Sequence, residues 1–294
     1  MADGKEQRSA EREERAQQAA KHLGLMRGAF SKEAHASADG AIIYEEGIGR
    51  ELELPEAQAE ATETRVVTSF VPEAIWAEGQ GRVMVVDPAS FTRPGGAYED
   101  GAFGPEQILC SESNLYPVLC ELKEDYYDKN RDYRRGMLFT DRAVLCPDVV
   151  FLRGGSIKKA DVIVISEPMR ARALENHRSE RECDNALRTR IETLLRIAAA
   201  NGCETLILGA FGCGRLGYDA SQVIGIIQAW IAEHPGSIGK IVFAVPRAYV
   251  DAFRVAFDPV QEEVLAPVDD ADAEDEDAEE DWRNVELPEG VTLR

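Results

Sequence analysis

Closely spaced metal ligands are missing from this chain. Its six cysteines, Cys110, Cys120, Cys146, Cys183, Cys203 and Cys213, include no C-x-x-C pair, and its four histidines lie far apart. Zinc-ligand spacing is therefore absent, and the expectation is no metal, no cofactor and reduced thiols. Long apolar runs are missing too: no uncharged stretch approaches the roughly 18 residues a membrane span needs. The opening "MADGKEQRSAEREERAQQ" has no apolar core of the kind a signal peptide carries. A soluble, cytoplasmic protein without a membrane partner is expected. Positive charge is scarce, with 33 Lys and Arg against 54 Asp and Glu, for a formal net charge of −21. The stretch Asp269 to Asp281, "DDADAEDEDAEED", holds ten acids and no base, so removing it takes −21 to −11 and leaves the rest acidic as well. A surface of that sign repels a phosphate backbone, which excludes non-specific nucleic-acid binding by counterion release. Any phosphate bound here has to be held by local main-chain donors.

What is present is ample for a core: 294 residues, 44% of them hydrophobic. Ala16, Ala19, Ala20, Leu23 and Met26 recur at helical spacing and predict a docking or capping helix, followed by a loop. An acidic patch around Glu51 to Glu63 reads as flexible. The β-branched runs "TRVVTSFVP" and "GRVMVVDPAS" read as neighbouring buried strands. Further on, "ADVIVIS", "ETLILGAF" and "GKIVFAVP" read as strands. The helices "RSERECDNALRTRIETLLRIAAANG", stopped by Gly202, and "DASQVIGIIQAWIAEH" separate them. Strand, helix, strand, helix, strand predicts an α/β sandwich with a largely parallel, covered sheet. The acidic segment 258–294, with few aromatics, reads as a disordered tail and as a candidate surface for a basic protein partner.

Two glycine-rich stretches carry the candidate chemistry. The first, "RPGGAYEDGAFGPEQILC" (Arg93 to Cys110), ends in a predicted helix whose first turn holds Pro105, Glu106 and Gln107. Glycines let a main chain approach a ligand closely, and an acid can move protons that an amide cannot. The second, "LGAFGCGRLGYDAS" (Leu208 to Ser221), lies between a strand and a helix, where amides and the helix dipole converge on an anion. Gly212 to Gly217 satisfies G-x-G-x-x-G, which keeps an NAD(P)-binding oxidoreductase among the readings. Against it, the next strand ends at Val245-Pro246-Arg247 rather than near an acid for the ribose.

Together, the two stretches resemble the macrodomain superfamily, specifically the microbial-type poly(ADP-ribose) glycohydrolases. That family's first motif runs N-P-G-G-G, a short spacer, then Q-E-E, a small residue, leucine and cysteine, and Arg93 to Cys110 keeps its length without a gap. "VVDPAS", "SNLYPVL", "VLCPDVVFLR", "LGAFGCGRLGYD" and "IVFAVP" follow in the family's order, over roughly Arg65 to Val245. The resemblance implies a three-layer α/β/α macrodomain-like sandwich with a mixed, mostly parallel sheet. It divides the chain into a helical extension and linker (1–64), a macrodomain core (65–257) and the acidic tail (258–294).

The resemblance also implies a ligand, ADP-ribose or an ADP-ribosylated protein, lying across the carboxyl-end crest of the sheet. Gly95 and Gly96 would approach the distal ribose, with Ser90 and Glu106 contacting it. Gly209, Gly212, Cys213, Gly214 and Arg215 would surround the diphosphate. The family's catalytic acid is the second glutamate of Q-E-E, and here that position is Gln107. Ala97 replaces the third glycine of the triplet. Leu216 replaces an expected aromatic, with Tyr218 a candidate replacement ring. Arg93 stands where the family has asparagine, and Glu99, Asp100 and Glu112 are candidates to take over proton transfer. The expected function is either an ADP-ribosyl glycohydrolase with altered catalysis through Glu106 and Gln107, or a non-catalytic ADP-ribose reader.

Overall fold

The structure is a computed structural model, and it describes residues 3–258. The expected acidic tail lies outside the described residues. In chain order the elements begin with α1 (Asp3–Ala29), α2 (Ser31–Asp39), β1 (Ile42–Tyr44), α3 (Ile48–Glu51), β2 (Glu63–Val67), α4 (Val71–Glu78) and β3 (Val83–Pro88). Next come α5 (Pro105–Ser111), α6 (Leu115–Glu121), β4 (Ala143–Arg153), β5 (Ser156–Ile165) and α7 (Arg170–Glu175). The described residues end on α8 (Glu180–Ala200), β6 (Thr205–Leu208), α9 (Ala220–Glu233), β7 (Lys240–Ala244) and α10 (Arg247–Phe257).

The strands form one mixed sheet in the order β1-β4-β5-β3-β6-β7-β2. β5, β3, β6, β7 and β2 pair in parallel, while β4 runs antiparallel to both β1 and β5. Alternation along each strand sends successive side chains to opposite faces. Met84, Val86, Ile163, Leu206 and Phe243 therefore face one core with α8, α9 and α10, where Leu187, Ile191, Ile227 and Phe253 meet them. Val83, Val85, Val162, Ile207 and Val242 face the other, closed by Leu23 of α1, Ile75 of α4, Leu109 of α5 and Leu115 of α6. Helices on both faces explain why the central strands are continuous apolar runs. This is the three-layer α/β/α, mixed and mostly parallel architecture expected from the sequence.

α8 starts on a capping box. The Ser179 hydroxyl accepts from Glu182 N at 3.3 Å, and the Glu182 carboxylate accepts from Ser179 N at 2.8 Å. Its apolar stripe then runs from Cys183 through Leu187, Ile191 and Leu194 into the core. "VLCPDVVFLR" becomes β4, which turns into β5 through Gly154 and Gly155, both at positive φ, the geometry of a two-residue hairpin turn.

Three expectations are corrected. The stretch after α1 that reads as a loop holds α2, whose Ala34 and Ser37, three residues apart, turn to one buried face. β2 and β3 are not neighbours: β3 lies between β5 and β6, whereas β2 is the outer strand beside β7 and buries only Val66. Parallel strands need a crossover, and the one through α4 skips two sheet positions that β6 and β7 fill later. The patch around Glu51 to Glu63 is tied down rather than loose. Gln58 donates from its main chain to Gly236 O at 2.9 Å and from its side chain to Cys203 O at 3.0 Å. β1 also pairs with β4 from within residues 1–64, so this stretch contributes a strand to the sheet. No described helix is long and apolar enough to cross a membrane.

Candidate functional site

β3 delivers the chain to the carboxyl-end crest at Asp87-Pro88, and Ala89 N is captured by Ile165 O of β5 at 3.1 Å. The loop that follows turns on Gly95 and Gly96, at φ +60° and +59°, a backbone region unfavourable to any side chain with a Cβ. There is also no room: a Cβ on Gly96 would sit 2.8 Å from Gln107 Nε2 and 2.9 Å from Glu106 Oε2. The loop is thus pressed directly onto the first turn of α5. Ser90 N donates to Glu106 Oε2 at 3.0 Å. Gln107 Nε2 donates to Gly95 O at 3.1 Å and to the same Glu106 oxygen at 3.4 Å. From outside, α1 holds the loop: Arg12 and Arg15 donate to Asp100 O and Gly101 O, and His22 bonds the Tyr98 hydroxyl.

The second glycine stretch reaches the same crest at the end of β6. Both stretches open onto one cavity of about 450 Å³. Of the residues expected from the sequence, Ser90, Gly96, Glu106, Gln107, Arg215 and Leu216 line it. Gly95 lies beneath, against the Tyr116 ring, and offers its carbonyl to Gln107. Ala97 uses its carbonyl for the loop's own turns, accepting from Asp100 N and Ala102 N. Gly209, Cys213 and Gly214 shape the second turn without lining the cavity, and Gly212 is buried at φ +80°. The Cys213 thiol is pushed up to about 12, chiefly by burial and then by nearby Glu167. Tyr218 is corrected outright: it is turned inward, 3% exposed, with its hydroxyl donating to Cys183 O at 3.0 Å. It anchors the start of α8 and covers no ligand.

The acids proposed as substitutes are also placed away from the cavity. Asp100 pairs with Arg93 at 2.8 Å on the exposed side of the loop, and neither Glu99 nor Glu112 lines the pocket. Besides Glu106, the acid that lines it is Glu167, just past β5, which sequence reasoning passed over. The signal was available: Ser166-Glu167-Pro168 follows the apolar run "ADVIVIS", at the carboxyl end of a central strand, where open α/β sheets place ligand contacts. Its Oε1 accepts from Gly212 N at 2.6 Å.

A third wall was also unread. Arg134, Met137 and Phe139 line the cavity, and Phe139 stacks on Phe91 with ring centroids 4.6 Å apart. Behind Phe91, its carbonyl accepts from Asn130 Nδ2 at 2.8 Å, and Asn130 Oδ1 accepts from buried Arg142. Arg142 also donates to Tyr126 O at 3.2 Å and, in a two-pronged contact, to Glu45 at 2.7 and 2.9 Å.

The site is electrostatically unusual. Asp87 is fully buried with neither carboxylate oxygen hydrogen-bonded in the protein, and Glu106 Oε1 is likewise unpartnered. A buried, unpaired carboxylate is costly, so such groups hold their protons. Burial, and then the Asp87 charge, raises Glu106 well above the carboxylate range; Asp87 rises through burial and then the Glu167 charge. Main-chain donors at Ser90 and Gly95 and the Gln107 amide pull Glu106 partly back. Burial pushes Glu167 up to about 7, with Gly212 N and Arg190 opposing. The cavity and the layer beneath it therefore combine two buried carboxyl groups, Asp87 and Glu106, an amide at position 107, and a glycine turn whose Gly212 N–H already faces a carboxylate.

Comparison with known proteins bears on the fold and on part of the sequence. Residues 15–154 match the family described as microbial-type PARG, catalytic domain. That span contains the first glycine stretch and Glu106-Gln107 and ends before the second. A poly(ADP-ribose) glycohydrolase from Thermomonospora curvata, bound to the inhibitor ADP-HPD, superposes with a TM-score of 0.70 at 22% identity, covering 82% of this chain and 98% of that one. One from Deinococcus radiodurans, in complex with ADP-ribose, gives 0.67 at 25% identity, covering 76% and 96%. Comparison with curated protein sequences finds no match. Over residues 15–154 this chain carries the microbial-type PARG catalytic-domain pattern, set in the macrodomain-like fold of the bacterial poly(ADP-ribose) glycohydrolases.

Proposed function

We propose that this chain is an ADP-ribose-binding macrodomain of the glycohydrolase type that recognises terminal ADP-ribose, with ribose–ribose hydrolysis weak or absent. One observation carries the second half: the residue beside Glu106 is an amide, and its Nε2 is committed to Gly95 O and the Glu106 carboxylate. An amide cannot deliver a proton to a leaving oxygen and take one back from water, the role the resemblance assigns to this position. The binding half is supported by two glycine turns opening on one cavity and by Glu106 in the wall of that cavity. In this reading the distal ribose lies by Gly96 and Glu106, the diphosphate by the Gly212 to Leu216 turn, and the Phe91–Phe139 stack offers an aromatic wall.

Calorimetry with ADP-ribose tests binding: micromolar affinity, about −8 kcal/mol, is the expected result, and no heat with a folded protein overturns it. Incubation with labelled poly(ADP-ribose) tests the rest, since turnover at the pace of an ordinary glycosidase would overturn the reader. Gly96→Ala is expected to cost about 1–2 kcal/mol of stability from the left-handed backbone. It should also weaken ADP-ribose binding by about tenfold or more, because Gln107 and Glu106 must move away from the new methyl group. Thermal melts and calorimetry on the same sample check both effects.

A further inference from the structure

We infer that Glu167 is a specificity-determining residue: its carboxylate sits at the anion position of the second glycine turn, and a diphosphate ligand must compete with it for the Gly212 amide. This rests on the ADP-ribose reading above and deepens it. Glycine turns ahead of a helix ordinarily leave their N–H groups for an external anion. Here Gly212 N donates 2.6 Å to Glu167 Oε1, so the protein supplies the anion itself, from a neighbouring strand end and from the wall of the same cavity. A bound diphosphate and an ionised Glu167 would be like charges in a poorly solvated space, which disfavours having both.

The groups facing Glu167 decide how the conflict resolves. From β3 comes Asp87, an acid; from the turn come the Gly212 N–H and the Cys213 thiol; from α8 comes Arg190. Arg190 is spent on main-chain oxygens, donating to Ser166 O and, at 3.0 Å, to Leu138 O, so it cannot follow the ligand. Arg134 and Arg215 line the cavity and are the cations available to the phosphates. The remaining route is for Glu167 to take a proton as the ligand arrives, and with burial already lifting it to about 7, that proton is within reach at neutral pH. The sign follows: the ligand raises Glu167 further, so binding takes up a proton above the free-state value, and affinity falls as pH rises through it.

The test is calorimetry of ADP-ribose with the full-length wild type and Glu167→Gln at about pH 6 and about pH 8, each in two buffers of different ionisation enthalpy. Glutamine keeps the size and the acceptor for Gly212 N but removes the charge. Wild type is expected to bind about tenfold more weakly at the higher pH and to take up a proton, one pKa unit being a tenfold change in affinity. Glu167→Gln should bind with little pH dependence and about tenfold more tightly than wild type at the higher pH. Asp87 and Glu106 remain in the variant, so a pH dependence they carried would persist there and overturn the inference. Equal affinities and no proton uptake in wild type would overturn it too, leaving the ADP-ribose reading intact. No binding by either folded protein at either pH would remove that reading and this inference with it.

Discussion

Gln107→Glu is expected to raise cleavage of labelled poly(ADP-ribose) by about 10²–10⁴-fold over wild type, the usual contribution of one positioned acid/base. The local geometry favours this change. In the native site an N–H₂ group at position 107 faces two acceptors, Gly95 O at 3.1 Å and Glu106 Oε2 at 3.4 Å. A carboxyl group placed there meets those acceptors only by keeping its own proton, which holds its pKa up and makes it an acid ready to protonate a leaving oxygen. Hydrogen bonding to the neutral form and partial burial beside Glu106 act in the same direction. The exchange should lower stability by about 1–3 kcal/mol, since a donor is lost whenever the new group ionises. Release of free ADP-ribose, followed chromatographically, is the measurement. Unchanged cleavage with unimpaired binding would mean that Ala97 and Leu216, the other departures from the family pattern, misplace the scissile bond.

The largest expected stability effect is at Arg142, which lies behind the cavity wall rather than in it. Its guanidinium, 2% exposed, joins Tyr126 O, Asn130 Oδ1 and Glu45, and Asn130 in turn fixes the Phe91 carbonyl at the cavity wall. Arg142→Ala leaves buried oxygens without donors and a void beside Tyr126. Removing one partner from such a network costs about 3–5 kcal/mol, and a domain of this size loses roughly 2–4 °C in Tm per kcal/mol. A thermal melt should therefore fall by about 10 °C. Arg142→Lys is expected to recover little, because a single ammonium cannot span the fork between Glu45 and the carbonyls. Weaker ADP-ribose binding should accompany the loss as Phe91 is released; a variant with native Tm would refute the network's role.

Legibility followed the range of the physical signal. Central strands such as Val83–Pro88 and Thr205–Leu208 announced themselves as apolar runs, and α8 by a 3.6-residue stripe ending at Gly202, since these depend on residues a few positions apart. Met137 and Phe139, at φ +73° and +60°, line the cavity in backbone conformations that no local pattern signals, so the third wall went unread. Tyr218 stays ambiguous in the sequence because an aromatic beside a glycine turn serves equally as a ligand cover or as an anchor. Only the depth of the α8 start, with Cys183 O waiting for its hydroxyl, separated the two.

By itself the sequence determined the strand and helix segments, the two glycine turns and the presence of an amide beside Glu106, because each is written in adjacent residues. The tertiary structure alone decided that both turns share one cavity, that β2 is an edge strand, and that Glu167 rather than Glu99, Asp100 or Glu112 joins Glu106 in the pocket. Those outcomes depend on crossovers joining residues such as Glu167 and Gly212, and on burial that sets which carboxylates keep a proton, neither of which has a period or spacing along the chain.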